Sequence, residues 1–371
     1  MPAPTPPPLV AVSTIMDSPE HVRRYVEGNL AGGVDHLVVF LDKPRGARQD
    51  EVAAYLEAHP AVTCVRAGQD WWGSERPREL NERQCTNANI AKDMLAGLGL
   101  GEAWVAHVDG DEILRAHPGA LAQVPTDSGA RFSVREAVSR HSWPGEPTLF
   151  KRELPEDDLR LLHGLGLVAE PTNQSYFRGH LMGKSAVRAD APAWLTLHKP
   201  VAVDGTAWPL HVAEELEVFH YESYSAEEFV RKWTAMVASG PKASFRPDRQ
   251  PVARTLRALI NRGLEPDALH RQLVRFYERE IEEDADALRD LGVLVETDPL
   301  TPVAARERAS LPAEELAAGI EAHRSQSKQK WFKGTSPQAQ RRSGESSGRG
   351  LSKLVRRSSS SASSDRISER R

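Results

Sequence analysis

The stretch WVAHVDGDEIL, residues 104–114, sets three carboxylates, Asp109, Asp111 and Glu112, directly after an apolar run, with Gly110 as the only spacer among them. Residues two apart share one face of a strand, so at a strand end Asp109 and Asp111 converge on a single hard cation. Carboxylate oxygens suit Mg or Mn, which keep coordination positions open for phosphate oxygens. The spacing therefore points to a metal-bridged phosphate site. The competing reading is a solvated turn, because Asp-Gly-Asp is also good turn chemistry. Against it, a strand this apolar belongs in the middle of a sheet, and its end opens into a ligand crevice. An EF-hand is excluded, since its later ligand positions do not follow.

Those carboxylates need a sheet to hold them, and the start of the chain supplies its pattern. LVAVSTI reads as a buried strand. Ser18 then stands as an N-cap, Pro19 at the first helical position and Glu20 in the first turn. Val22, Tyr25, Val26 and Leu30 share one helical face, and Gly32-Gly33 ends it. HLVVFLD follows as a second strand ending at Asp42, and such a strand-helix-strand unit closes as a right-handed crossover between parallel strands. The alternation repeats through QDEVAAYLEAH, AVTCVRA, a Trp-bearing loop DWWGSERP and a helix over about 82–98. The sequence thus predicts an α/β fold, Rossmann-like, with a mostly parallel sheet flanked by helices. In such sheets ligands sit beyond the carboxyl ends of the strands, where the acidic cluster lies.

Later segments are read more coarsely. ARFSVREAVSRH is a strand, 145–175 a long loop, SYFRGHLMGKSAVRA a strand pair and LEVFHYESY a strand. A helix follows with the capping box Ser225 and Glu228. A long helix is expected over 266–291, and another after Pro312. The organisation is a Pro-rich extended segment at 1–8, a main domain at 9–240, a helical C-terminal region at 241–333 and a disordered tail at 334–371.

The chain has 371 residues and a net charge of -4. From Gly334 onward nine Lys or Arg face three Asp or Glu, so a basic tail follows an acidic body. That distribution argues against nucleic acid as the body's partner and leaves the tail as a solubilising extension or a weak tether to anionic lipid. Cys64 and Cys85 match no disulfide framework or metal spacing and read as reduced thiols. With no signal-like N-terminus and no apolar run of about 20 residues, a cytoplasmic protein is expected.

The segment WVAHVDGDEIL resembles the D-x-D-E motif of GT-A-fold glycosyltransferases of the family-2-like group, whose pattern is W-x-x-x-x-D-x-D-E-F-L. Four further stretches resemble that group in the right order: GVDHLVVFLD, NERQCTNANIAKDM, HLMGKSAVRA and VFHYESYSAEEFVRKW. The resemblance spans about residues 10–240. It implies a GT-A fold, a nucleotide-diphosphate sugar donor, a glycan or other acceptor, and a Mn or Mg cofactor. By the same resemblance Asp111, and Asp109 directly or through water, hold the cation. Glu112 either supports the metal or contacts the sugar, and His220 completes the metal shell, with His198 and His211 as alternatives. Lys184 and Arg188, and Arg83 from the preceding helix, bring positive charge to the diphosphate, and Asp42 faces the nucleoside. The catalytic base of an inverting enzyme stays open among Glu136, Glu170 and Asp190. DWWGSERP is either a sugar-stacking loop or packing.

The chain departs from the group's pattern in three places. IMDSP stands where an Asn-Glu pair is common, DKPRGARQD where D-N-x-S-x-D is common, and Ile113 replaces Phe. The first two touch the implied nucleotide pocket, so the donor stays open. Two other classes compete: a GT-A-like module that binds a nucleotide sugar or glycan without turnover, and a D-x-D phosphatase. The phosphatase order of residues is not met, because Gly110 lies between the acids and Glu112 follows them.

Overall fold

The structure is a computed structural model that describes residues 6–238, 250–303 and 308–332. The basic tail and the first five residues of the Pro-rich segment lie outside the described residues. Strand β1 (Leu9–Ile15) is buried at every position. Its alternate side chains enter two cores: Leu9 and Ala11 pack on one side, Val10 and Val12 on the other. A strand covered on both faces needs this unbroken apolar run.

Helix α1 (Pro19–Ala31) begins as the sequence predicts, with Ser18 Oγ accepting from the His21 N–H at 3.2 Å and Pro19 at the first turn. Then come β2 (His36–Leu41), α2 (Ala47–Glu57), β3 (Val62–Arg66), the short α3 (Gln69–Trp72), α4 (Leu80–Gly97) and β4 (Trp104–His107). Strand β1 pairs in parallel with β2 and β4, and β2 with β3. The carboxyl ends of β3, β2, β1 and β4 therefore stand side by side along one edge.

The rest of the chain extends this sheet with mostly antiparallel neighbours, the pairing of β11 with β6 being parallel. It runs through β5 (Glu112–Ala116), β6 (Gly129–Ala137), β7 (Leu149–Lys151), α5 (Glu156–Gly164), α6 (Asn173–Tyr176), β8 (Lys184–Arg188), β9 (Ala193–Trp194), β10 (Val201–Ala202) and β11 (Leu210–His220). Helices α7 (Ala226–Ala238), α8 (Gln250–Ile260), α9 (Pro266–Glu280) and α10 (Ala285–Asp290) follow, then β12 (Leu294–Glu296), α11 (Ala313–Glu321) and α12 (Gln329–Phe332). The main sheet has ten strands in the order β12-β7-β6-β8-β4-β1-β2-β3, with β11 pairing both β6 and β5. The expected α/β layer is thus present, its parallel half carried by β1 to β4.

Register decides what meets at the acidic end. His220, the last residue of β11, pairs with Glu112 on β5 and with Glu136 on β6. An imidazole is thereby flanked by carboxylates across three neighbouring strands.

Some local expectations are corrected. The region 145–175 is not one long loop: it holds β7, α5 and α6. SYFRGHLMGKSAVRA holds a single strand, β8, after the end of α6, and the irregular backbone between them carries His180 into the site. The helix expected over 266–291 breaks into α9 and α10, because Glu283 turns inward to bond the Ser139 N–H at 2.8 Å and Lys151 Nζ at 2.7 Å. Trp71 and Trp72 are buried packing residues. The C-terminal region is mainly helical, and β12 joins its sequence to the main sheet.

Candidate metal and anion site

The acidic turn is held from below by β1. Ser13 Oγ donates to the Val108 carbonyl and meets Tyr25 Oη at 2.6 Å. The Glu112 N–H returns to the Asp109 carbonyl at 3.1 Å, and the Glu112 side chain accepts from the Asp109 N–H at 2.9 Å, closing the turn. Gly110 is required here, since a methyl group on it would come within 2.8 Å of Ile15 Cγ2. Helix α1 fixes the start of β5 through Asn29, which donates to the Glu112 carbonyl and accepts from the Leu114 N–H.

The carboxylates divide into two pairs, each closed by a lysine. In the first, Lys184 Nζ lies 2.6 Å from Asp109 Oδ2 and 3.1 Å from Glu112 Oε2, and it donates to the Leu197 carbonyl at 3.1 Å. Gln84 Nε2 donates to Asp109 Oδ1 at 2.6 Å, so both Asp109 oxygens are engaged. Lys184 is wholly buried. Burial opposes its charge, yet Asp109 and Glu112 more than offset that and raise its pKa. The same ammonium keeps Glu112 well below the usual carboxylate range despite burial.

In the second pair, Lys232 Nζ from α7 lies 2.8 Å from both Asp111 Oδ2 and Glu222 Oε2. His220 Nε2 points at the same two oxygens, 3.8 Å from Asp111 and 3.4 Å from Glu222. Burial pulls the His220 pKa down, but the Glu222 hydrogen bond and the Asp111 charge raise it to about 9. Asp111, His220 and Glu222 each offer a ligand atom within 4.8 Å of the others, as do Glu112, His180 and His220. His180 stacks on His220 with ring centroids 4.8 Å apart and bonds Glu112 Oε1 at 2.9 Å. A methyl group on Gly179 would come within 2.6 Å of the His220 ring, so this glycine leaves the ring its place.

Next to this cluster a cleft of about 720 Å³ opens at the carboxyl ends of β1, β2 and β3. Its lining includes Lys43, Arg45, Arg48, Arg76 and Arg231 against only two acids, Asp17 and Asp42. Both acids are engaged: Asp42 by Arg83 at 2.7 Å and Arg76 at 2.9 Å, Asp17 by Arg231 at 3.1 Å. Among the described residues, none forms an ion pair with Lys43, Arg45 or Arg48. The cleft therefore carries surplus positive charge. Helix α7 joins the two parts, since Arg231 lines the cleft and the adjacent Lys232 reaches the carboxylates.

Several residues singled out in the sequence meet here: Asp109, Asp111, Glu112, Lys184 and His220 in the cluster, Asp42 and Arg83 at the cleft. Asp42 does not present a free carboxylate to a nucleoside, because Arg83 and Arg76 cover it. Arg188 is not at the site. It sits at the opposite end of β8, paired with Glu102 at 2.6 Å and stacked 4.6 Å over Trp104, the first residue of β4. Of the rival histidines, His198 bonds the Gly183 carbonyl at 2.9 Å, and His211 lies near the far end of β11. Glu136 is buried against Lys151 at 2.8 Å and accepts from the Arg178 and Gly179 N–H groups, whereas Glu170 and Asp190 are exposed on loops. Sequence reasoning missed His180, Glu222 and Lys232, although all three stand inside the motif stretches quoted for the resemblance. The signal was present; which side chains turned inward was not.

The sequence matches no described protein family, and no curated protein matches it. Solved structures give distant matches. A mannosyltransferase from Pyrobaculum calidifontis in complex with GDP-Man and Mn2+ is 15% identical over 78% of this chain and 80% of that one, with a TM-score of 0.30. A 4-diphosphocytidyl-2C-methyl-D-erythritol synthase is 14% identical over 50% and 76%, with a TM-score of 0.24. A mycobacterial protein is 13% identical over 62% and 73%, with a TM-score of 0.28. At this distance the functional reading rests on the site itself.

Proposed function

We propose that the protein is a metal-dependent glycosyltransferase that moves a sugar from a nucleotide-diphosphate sugar to a glycan or other acceptor. One observation carries the reading: a carboxylate and imidazole cluster stands beside a basic cleft on the carboxyl edge of the sheet, where α/β folds take their ligands. Two carboxylate oxygens and an imidazole nitrogen are a donor set that fits Mn, whereas Mg would be held by the carboxylates with water in place of the nitrogen. Asp111, His220 and Glu222 would hold the cation, which compensates the charge growing on a departing diphosphate.

The remaining residues position and bind. Asp109 and Glu112, locked by Lys184, shape the turn that aims Asp111 outward. Lys43, Arg45, Arg48 and Arg76 attract an anionic donor into the cleft, and Asp42 orients Arg76 and Arg83. The Lys184 ammonium is spent on Asp109 and Glu112, so it acts on the diphosphate only through the position of the turn.

One observation favours a second reading, a nucleotide-sugar-binding module without turnover. None of Glu136, Glu170 and Asp190 stands at the cluster with a carboxylate available as a base. The test is calorimetric titration of UDP and then GDP with Mn, with EDTA and Asp111→Ala as controls, followed by an assay for nucleotide release from the matching sugar donor. Metal-dependent binding that falls at least about 100-fold in Asp111→Ala, with nucleotide release, supports the transferase. Binding without release supports the module. No binding of either nucleotide by folded protein contradicts both.

A further inference from the structure

Among the described residues three lysines close pairs of carboxylates, and one of the three stands apart. Lys184, between Asp109 and Glu112, and Lys151, between Glu136 and Glu283, have side chains fully shielded from solvent. The Lys232 side chain is 26% exposed. Lys184 and Lys151 also donate to backbone carbonyls, of Leu197 and Tyr176 respectively. Lys232 bonds Asp111 and Glu222 alone among the described residues. A flexible four-carbon stem on an exposed helix face can withdraw, whereas the two buried ammonium groups have nowhere to go.

The pair that Lys232 closes is also the one toward which His220 is aimed. His220 is 4% exposed, and among the described residues its Nδ1 has no hydrogen-bond partner, with Glu136 Oε2 3.8 Å away. Its Nε2 faces the two oxygens that Lys232 holds. A divalent ion bound about 2.1 Å from those oxygens and an ammonium 2.8 Å from the same oxygens would claim one space, with like charges in contact.

We propose that Lys232 is a built-in counter-ion of the cation site: it holds Asp111 and Glu222 together until a divalent cation binds, then yields the carboxylates to it. The inference rests on reading the cluster as a cation site. Freed, the ammonium stays tethered to α7 beside Arg231, which lines the cleft, so its charge becomes available to an anion bound there.

Lys232 then lowers the apparent metal affinity by the fraction of time it leaves the carboxylates open. For an open fraction of about 1–10%, removing it tightens binding roughly 10- to 100-fold. The experiment is titration of Mn into the full chain followed by electron paramagnetic resonance, for the wild type, Lys232→Met and Lys232→Gln. Tighter binding in either folded variant is expected. Equal or weaker binding in both would overturn the exchange. A second readout uses the wild type alone: acetylation of Lys232 by a water-soluble acylating reagent, followed by mass spectrometry with and without saturating Mn. The expected result is several-fold faster modification with Mn; an unchanged rate would overturn the proposal even if neither variant folds. Failure of the wild type to bind Mn at all would instead remove the cation site itself, and that outcome is read without any Lys232 variant.

Discussion

The two halves of the acidic cluster use the same chemistry for opposite ends. Asp109 and Glu112 are closed by a lysine without solvent exposure, Asp111 and Glu222 by one that is a quarter exposed. In the first half every acceptor is occupied, by Lys184, Gln84, His180 and a backbone N–H. In the second, an imidazole and an ammonium share two oxygens at the rim of a basic cleft. Burial with full satisfaction makes a rigid brace, whereas partial exposure with a surplus of donors makes a place where ligands can exchange. A D-x-D sequence does not distinguish the two; the strands around it do.

The largest expected effect breaks the brace. Lys184→Met leaves the buried Glu112 beside Asp109 without their shared cation and should cost about 3–5 kcal/mol in urea unfolding. Lys232→Met should cost clearly less, because Lys232 is itself a quarter exposed and water reaches Asp111. Equal losses would erase the distinction between the halves.

A smaller effect concerns the anchor of α7, the helix that carries Lys232. His21 lies 3.0 Å from Asp17 and 3.3 Å from Glu228. Burial lowers its pKa, but these carboxylates more than offset that and raise it from 6.5 to about 9. A raised pKa means the contribution is full below pH 6.5 and lost as pH climbs through about 9. Unfolding at pH 6 and pH 10 should show the wild type losing on the order of 2 kcal/mol more than His21→Leu across that interval. Parallel pH profiles would remove His21 from the account.

The smallest effect is expected at the far end of β8. Arg188→Ala removes a pair with the solvent-facing Glu102 and the stacking on Trp104, so stability should fall by about 1 kcal/mol. Nucleotide and metal binding should not change. A large loss of binding would restore Arg188 to the diphosphate role that its sequence motif suggested.

How much was legible in the sequence follows from what sets each feature. Strand β1, the Ser18 cap and the alternation up to β4 are local patterns of burial and capping, and they were readable residue by residue. So was the position of the carboxylates at a strand end. The partition of the cluster was not, because it depends on contacts 68 to 121 residues apart, such as His180 with Glu112 and Lys232 with Asp111. Lys184 and Arg188 share one face of a five-residue strand, yet its length puts one in the cluster and the other at the opposite end. The break between α9 and α10 was hidden for a similar reason: Glu283 leaves the helix to reach Lys151, a partner 132 residues away.

The most direct measurement compares the two aspartates. Mn affinity, read by electron paramagnetic resonance, would be determined for Asp109→Asn and Asp111→Asn beside the wild type. Asp111→Asn is expected to abolish specific Mn binding, while Asp109→Asn, despite lower stability, keeps it within a few-fold of the wild type. Loss of binding in Asp109→Asn with retention in Asp111→Asn would contradict it and move the cation to the buried half of the cluster.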